Sequence, residues 1–159
     1  MVRIAHISDT HIRNLKFHKQ YRECFNDLYI KLEREEVDVI YVAGDIAHTK
    51  TQISPEFVEL CSDFFRNLAD IAPTYIILGN HDGNLKNSSR QDAITPIVNA
   101  LNHPNVHLLK DSGEVFLTEN KSFETLRDLT GTEYVFNVLS VFDRENWQKP
   151  SKPESVNIA

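Results

Sequence analysis

Side chains with metal-binding chemistry follow three short apolar runs of the sequence. They are Asp9 and His11 after the run at 4–8, Asp45 after the run at 39–43 and Gly44, and Asn80, His81 and Asp82 after the run at 75–78. Each run has the composition of a buried β-strand. In an α/β protein, ligands gather beyond the carboxyl ends of the strands. The pattern therefore predicts one pocket of carboxylate, imidazole and amide groups at one edge of a sheet.

The residue types in this pocket favour a transition metal. Asp9 and His11 alternate across Thr10, so an extended backbone would point both side chains the same way. Oxygen ligands with one or two imidazoles suit manganese, iron or zinc better than calcium. Asp45 could bridge two cations, and two cations about 3.5–4 Å apart clamp the attacking and leaving oxygens at phosphorus. Taken singly, an Asp cap beside a surface His and a turn Asp would be the better explanation of these residues.

The tetrad Gly79-Asn80-His81-Asp82 adds the groups that a reaction needs. Gly79 permits a sharp exit from its strand. Asn80 offers an amide oxygen to a metal, His81 titrates near neutral pH, and Asp82 could orient that imidazole. His48 is close enough to Asp45 in sequence to face substrate, or else it is an ordinary loop residue.

The other histidines have structural interpretations. We expect His6 to be a core residue of the first strand and His18 to be solvated at the start of a helix. His103 and His107 flank Pro104 at a turn into a strand, and both read as structural.

Composition points to one soluble domain. The chain has 159 residues, of which 41% are hydrophobic and 25% charged, as in globular proteins. Its net charge of -6 argues against simple coating of DNA, which requires basic surfaces. Cys24 and Cys61 form no metal or disulfide motif. The sequence has no signal peptide or membrane span, so we expect a cytoplasmic protein without a membrane partner.

The hydrophobic pattern predicts the order βαβαβαβ followed by further strands. Strands are expected at 2–8, 37–43, 74–78 and 106–109, then at 115–117 and 134–141, the last two as part of a meander. Helices are expected between the first four strands, the second of them with Ser54 as N-cap and Pro55 at its first position. Such crossovers predict parallel strands with helices on the faces. Residues 156–159 resemble the start of one more strand, so the domain at 1–159 is expected to be incomplete at its C-terminus.

The ordered motifs Asp9-Thr10-His11, Gly44-Asp45 and Gly79-Asn80-His81-Asp82 resemble those of the calcineurin-like metallophosphoesterases. Within that superfamily, the stretches at 6–11 and 37–48, with Ser54-Pro55 downstream, look like the DNA-repair nuclease branch. Its members are SbcD-like exonuclease subunits that work with an SMC-type ATPase.

The resemblance implies an α/β (α+β four-layer) fold, a β-sandwich flanked by helices, present here as the first βαβαβ half and the start of the second sheet. It implies two divalent ions, manganese first and iron or zinc as alternatives, which activate a hydroxide for phosphodiester hydrolysis. The implied ligands are Asp9 and His11 for one ion, Asp45 for both and Asn80 for the second. The remaining implied roles are His81 as the acid, Asp82 as its support and His48 as a DNA-facing residue.

One departure from the family's pattern shapes the expected function. The family's remaining metal ligands are histidines from the second half of the domain, one after a strand and a pair in a GHxH-like motif. After His81 this chain has only His103 and His107, and neither stands in such a context. Because those ligands are missing, we expect the chain by itself to be a weakly active or inactive metallophosphoesterase. The function expected from the resemblance is that of a DNA nuclease subunit with an SMC-like ATPase partner. One alternative is a phosphoesterase for a small nucleotide or phosphoprotein, which the negative charge favours. The other is a catalytically incomplete fragment that needs a partner half, with homodimerisation through an unpaired strand edge.

Overall fold

Two β-sheets form the frame of the molecule. The computed structural model describes residues 2–13, 15–51, 53–87, 89–120 and 122–149, and the backbone of 156–158. The first sheet has the order β1-β2-β3-β4 and is parallel throughout. Its strands are Ile4–Ile7 (β1), Val39–Ala43 (β2), Thr74–Ile77 (β3) and Val106–Leu109 (β4). The parallel sheet predicted from the crossovers is thus confirmed.

Three helices connect these strands and cover one face of the sheet. They are His18–Arg34 (α1), Pro55–Ile71 (α2) and Thr95–Leu101 (α3), with a 3-10 turn at Leu15–Phe17 before α1. As predicted, Ser54 caps α2, and its Oγ accepts a hydrogen bond from the Phe57 amide at 3.2 Å. The two long helices meet through Phe25 and Phe64, whose stacked rings lie 4.2 Å apart.

The second sheet packs on the opposite face. Its strands are Gly113–Phe116 (β5), Val135–Val138 (β6) and Val156–Ile158 (β7). Strands β5 and β6 are antiparallel, but β6 and β7 are parallel, so the expected meander ends at β6. The core between the sheets includes Tyr41, Tyr75 and Phe136, and each such fully buried side chain stabilises the fold by about 1.5–3 kcal/mol. Residue 159 of the last expected strand lies outside the described residues.

Two expectations about histidines are wrong. His6 is exposed rather than in the core, because β1 is the edge strand of its sheet, and its ring rests against Tyr41 at 5.2 Å. His18 is buried rather than solvated, with 5% of its surface exposed. The chain before α1 folds back over it, and the Arg13 carbonyl accepts a hydrogen bond from its Nε2 at 2.8 Å.

The two histidines after the tetrad have the structural roles that were expected. His107 stacks on Tyr75 at 4.7 Å. The Nε2 of His103 lies 3.3 Å from Asp70 Oδ1, and its Nδ1 accepts a hydrogen bond from the Asn105 amide. Neither interaction is with the residues that follow β1, β2 and β3.

Candidate metal centre

The backbones that follow β1 and β2 continue side by side beyond the sheet. The Asp9 amide donates to the Gly44 carbonyl at 3.2 Å, the His11 amide to Asp45 at 3.0 Å and the Ile12 amide to Ile46 at 2.8 Å. The loops that carry the ligand-type residues are therefore an extension of the parallel sheet. This ladder fixes the two segments relative to each other before any ion binds.

The backbone at the first motif is not extended, contrary to expectation. Asp9, His11 and Asp45 have φ values of 55°, 42° and 51°, in the left-handed region, which costs about 1–3 kcal/mol for each such residue. Asp9 and His11 still converge, with His11 Nε2 3.6 Å from Asp9 Oδ1. The convergence comes from two left-handed residues that flank Thr10, not from strand alternation.

Two glycines allow the chain segments after β2 and β3 to touch. Gly44 has φ +83°, and a Cβ on it would lie 2.5 Å from the Gly79 nitrogen. A Cβ on Gly79 would lie 2.1 Å from Asp45 Oδ1. Since real Cβ atoms do not approach other atoms so closely, both positions require glycine. The contact brings Asp45 against the tetrad.

His11, Asp45 and His81 form the candidate metal-binding cluster. Each offers one donor atom, and the three atoms lie within 4.8 Å of one another. His11 Nε2 is 3.9 Å from Asp45 Oδ2, and the ring centroids of His11 and His81 are 4.8 Å apart, edge to face. The His81 amide also donates to Asp45 Oδ1 at 2.9 Å, which fixes the carboxylate.

The hydrogen bonds of the two imidazoles fit a bound cation. The Nδ1 of His81 lies 2.9 Å from the His48 carbonyl. A carbonyl can only accept, so Nδ1 carries the proton and Nε2 keeps its lone pair. This is the arrangement that typically orients a ligating histidine. The Nδ1 of His11 is buried without a hydrogen-bond partner among the described residues. The donor set therefore suits a divalent transition metal.

Asp82 has a different place from the one expected. Its carboxylate does not contact the His81 ring; Oδ1 accepts from the Ala47 amide at 2.8 Å and Oδ2 from the Gly79 amide at 2.9 Å. Burial raises the pKa of Asp82 to about 6, and the Asp45 carboxylate also raises it, while these amides lower it. Asp82 thus ties the segment after β2 to the segment after β3, and the backbone of His48 takes over the orientation of His81.

Asn80 and His48 lie at the margin of the cluster. Asn80 is exposed on the turn that carries His81. The ring of His48 stacks at 6.2 Å from that of His81 and meets His11 edge-on at 5.8 Å. Desolvation lowers the pKa of His48, and electrostatic repulsion from Arg13 and from the two neighbouring imidazoles lowers it further. His48 therefore stays neutral beside the cluster at neutral pH.

Two residues with supporting roles were missed in the sequence. The Nζ of Lys50 donates to the carbonyls of Asn80 at 3.3 Å and Gly83 at 2.9 Å, so it holds the tetrad from outside. The hydroxyl of Tyr21 donates to the His11 carbonyl at 2.7 Å. Tyr21 shares the helical spacing of the core residues around it, and Lys50 carries no sequence signal that separates it from a solvated lysine.

The fold and the site together define an α/β protein with a cluster of metal-ligand residues at the carboxyl ends of three parallel strands. The calcineurin-like phosphoesterase family matches residues 2–158, and the chain belongs to that family. Members of the family use divalent metal ions.

Two viral proteins are similar to the chain. "Uncharacterized protein R555" of Acanthamoeba polyphaga mimivirus is 37% identical over 98% of this chain and 12% of its own length. "Putative phosphoesterase 244L" of Invertebrate iridescent virus 6 is 24% identical over 92% of this chain and 50% of its own length. The chain thus spans half or less of the length of these two relatives. Within the part of the chain that the structure describes, no helix combines the length and apolar character needed to cross a bilayer.

Proposed function

We propose that this chain supplies the metal-binding site of a nuclease that hydrolyses phosphodiester bonds in DNA. The observation that carries the proposal is the cluster of His11, Asp45 and His81, with donor atoms within 4.8 Å of one another. It stands at the strand ends of a protein that belongs to the calcineurin-like phosphoesterases.

The chain's residues divide into ligands and a proton donor. Asp9, His11, Asp45 and Asn80 would hold two divalent ions, with manganese as the first choice. When bound, such ions polarise a phosphoryl oxygen and lower the pKa of water to about 7. We assign His81 as the proton donor: its Nδ1 keeps the proton that bonds to the His48 carbonyl, and its Nε2 would take up a second proton from solvent and pass it to the departing oxygen. The His48 carbonyl fixes the opposite side of that ring, so the proton donor is pre-oriented.

Charge near the site supports a nucleic-acid substrate. Arg13 and Lys16 line a groove that reaches His48, so cations stand where a polyanion approaches the cluster. The net charge of -6 favours the alternative of a small phosphoester, whose binding needs no extended basic surface. We prefer DNA because the two cations are placed beside the site and not dispersed. An SMC-like ATPase as partner remains a prediction from the resemblance.

The test is hydrolysis by the purified chain in MnCl2, with end-labelled DNA and bis-p-nitrophenyl phosphate as substrates. Asp45→Asn should abolish both hydrolysis and tight manganese binding, because Asp45 is the central ligand. His81→Ala should lower turnover by roughly 10²–10⁴-fold, as for loss of a general acid, with metal content retained. Metal content is measured by mass spectrometry of the desalted protein.

Matched variants away from the site separate these effects from general damage. Asp27→Asn and His6→Ala change the same residue types at exposed positions, and both should leave activity and metal content unchanged. If His81→Ala lost the metal together with activity, His81 would be a ligand and not the acid. Hydrolysis that survives Asp45→Asn, or that needs no metal, would contradict the proposal. Activity on the small phosphodiester without cleavage of DNA would favour the small-substrate alternative.

A further inference from the structure

A groove beside the metal cluster has features that the cluster itself does not require. It has a volume of about 770 Å³, within the range of small-ligand pockets. Its walls come from the chain before α1 and from the chain between β2 and α2, and it reaches the cluster at His48. The groove therefore adjoins the cluster, because His48 borders both.

Two large aliphatic side chains are exposed in the walls of the groove. Leu15 is 59% exposed and Ile53 is 39% exposed, and both line the groove with the half-buried ring of Phe17. Large aliphatic side chains gathered at one exposed place mark binding sites more often than scattered ones do. These side chains present flat or broad apolar surface that suits the face of an aromatic ligand.

The lining of the groove carries more positive than negative charge. Arg13 and Lys16 stand on it, and Lys16 Nζ lies 4.7 Å from the centroid of the Phe17 ring. Glu56 also lines the groove and opposes them, which leaves one net positive charge. The groove therefore pairs an aromatic and aliphatic floor with cations at its edge, the combination with which proteins hold single-stranded nucleic acid.

We infer that this groove binds unpaired nucleotides of the strand whose phosphodiester lies at the metals, with a base stacked on Phe17 and a phosphate beside Arg13 and Lys16. This inference rests on the proposed function, because it names the form of DNA that the site receives. A duplex keeps its bases stacked inside and cannot offer one to Phe17. The preferred substrate is accordingly single-stranded DNA or a frayed end.

The test measures binding by fluorescence anisotropy in EDTA, where neither metal nor hydrolysis contributes. The probes are a labelled oligothymidine, an abasic strand with the same number of phosphates, and the matching duplex. The oligothymidine should bind about 5–150-fold more tightly than the abasic strand, as expected for a stacked base. This comparison needs no variant, so a folding defect cannot obscure it.

Variants then assign the effect to the groove. Phe17→Ala should weaken binding of oligothymidine to the level of the abasic strand and leave the abasic strand unchanged, whereas Phe17→Trp should retain the preference. Arg13→Gln should weaken the binding of both strands alike. It should also reduce the slope of log K against log [salt] by about one, as for the loss of one phosphate contact. Phe123→Ala, at another exposed phenylalanine, is the control and should change nothing.

The outcomes of this test and of the hydrolysis test are independent. Equal binding of normal and abasic strands, an equal loss of both in Phe17→Ala, or tighter binding of duplex would overturn the inference even if manganese-dependent cleavage is observed. A base preference that depends on Phe17 would support it even if cleavage fails, and the proposed hydrolysis alone would then be wrong.

Discussion

At the scale of single residues, the site depends on its glycines as much as on its ligand-type side chains. Gly79 shows this clearly, because the space of its missing Cβ is occupied by the Asp45 carboxylate. Its own backbone is not in the left-handed region. The requirement for glycine here is therefore steric and is directed at a candidate metal ligand.

Gly79→Ala should weaken manganese binding by about 10–100-fold, the usual cost of disturbing a group that supports a metal ligand. The added methyl displaces Asp45 from its hydrogen bond with the His81 amide. Isothermal titration with MnCl2 measures the effect. Gly131→Ala is the control, since Gly131 has φ +80° but open space around it, so it should lower stability without changing metal affinity. Equal manganese affinity of Gly79→Ala and the unchanged chain would contradict the steric argument.

The types of the site residues could be predicted from the sequence, but their contacts could not. Asp9, Asp45 and His81 are recognisable because each follows an apolar run and carries a ligand group. The partner of Asp82 was predicted wrongly, since a carboxylate one position from an imidazole can equally reach amides of two other segments. The left-handed backbone at Asp9 and His11 also leaves no trace in the sequence, because it is imposed by the ladder to the neighbouring segment.

At the scale of elements, α3 is held by a buried carboxylate before its first turn. Asp92 accepts hydrogen bonds from the Ile94 and Thr95 amides at 2.9 and 2.6 Å. It also forms an ion pair with Lys110 at 3.0 Å. Burial raises its pKa, but the hydrogen bonds from Thr95, Lys110 and Ile94 outweigh burial and leave the pKa below its ordinary value. The ionised carboxylate is thus the form that stabilises α3.

The stabilisation by Asp92 should depend on pH in a definite direction. A carboxyl group whose pKa is lower in the folded state stabilises the fold fully above its unfolded pKa of 3.8, and this stabilisation is lost as pH falls through the folded value. Asp92→Asn should therefore lower the free energy of unfolding at pH 7 by about 1.5–3 kcal/mol, the usual contribution of a hydrogen bond to a charged group. Urea unfolding of both proteins from pH 7 to pH 3 measures the difference, which should shrink below pH 3.8. A difference that stays constant or grows with acid would refute this.

The sequence is informative about single elements and much less about how they pair. The apolar runs and the Ser54-Pro55 signal locate the strands of the first sheet and the start of α2, because burial and capping act locally. The parallel pairing of β7 with β6 was not predicted, since strand direction depends on the path of the intervening chain. His18 is a further case: it is polar and stands at a helix start, yet the preceding loop buries it.

At the scale of the whole molecule, the metal cluster and both cores share the strands β2 and β3. Tyr41 and Tyr75 face the second sheet, while Val42 and Ile76 face the helices. The unfolding of these strands would separate Asp45 from His81, which follow them in the chain. Binding of an ion to the cluster is therefore coupled to the stability of the entire fold.

Manganese should raise the melting temperature of the chain. An ion that binds only the folded state adds about 2.7 kcal/mol at a hundred times its Kd, which corresponds to a rise of about 5–10 °C for a domain of this size. Differential scanning fluorimetry in increasing MnCl2, reversed with EDTA, measures it. Asp45→Asn should lose most of the shift and Asp27→Asn should keep it. An identical shift in Asp45→Asn would place the ion elsewhere.

The ladder that joins the backbones after β1 and β2 has a consequence for the choice of metal. Because the amides of Asp9, His11 and Ile12 are satisfied by carbonyls of the neighbouring segment, the geometry of the cluster is set by the sheet and not by the ion. One divalent ion can then leave and another enter without refolding. Affinities of such sites rise in a general order from manganese towards copper, so the ion that occupies the site is decided by the cations in supply at the moment of exchange.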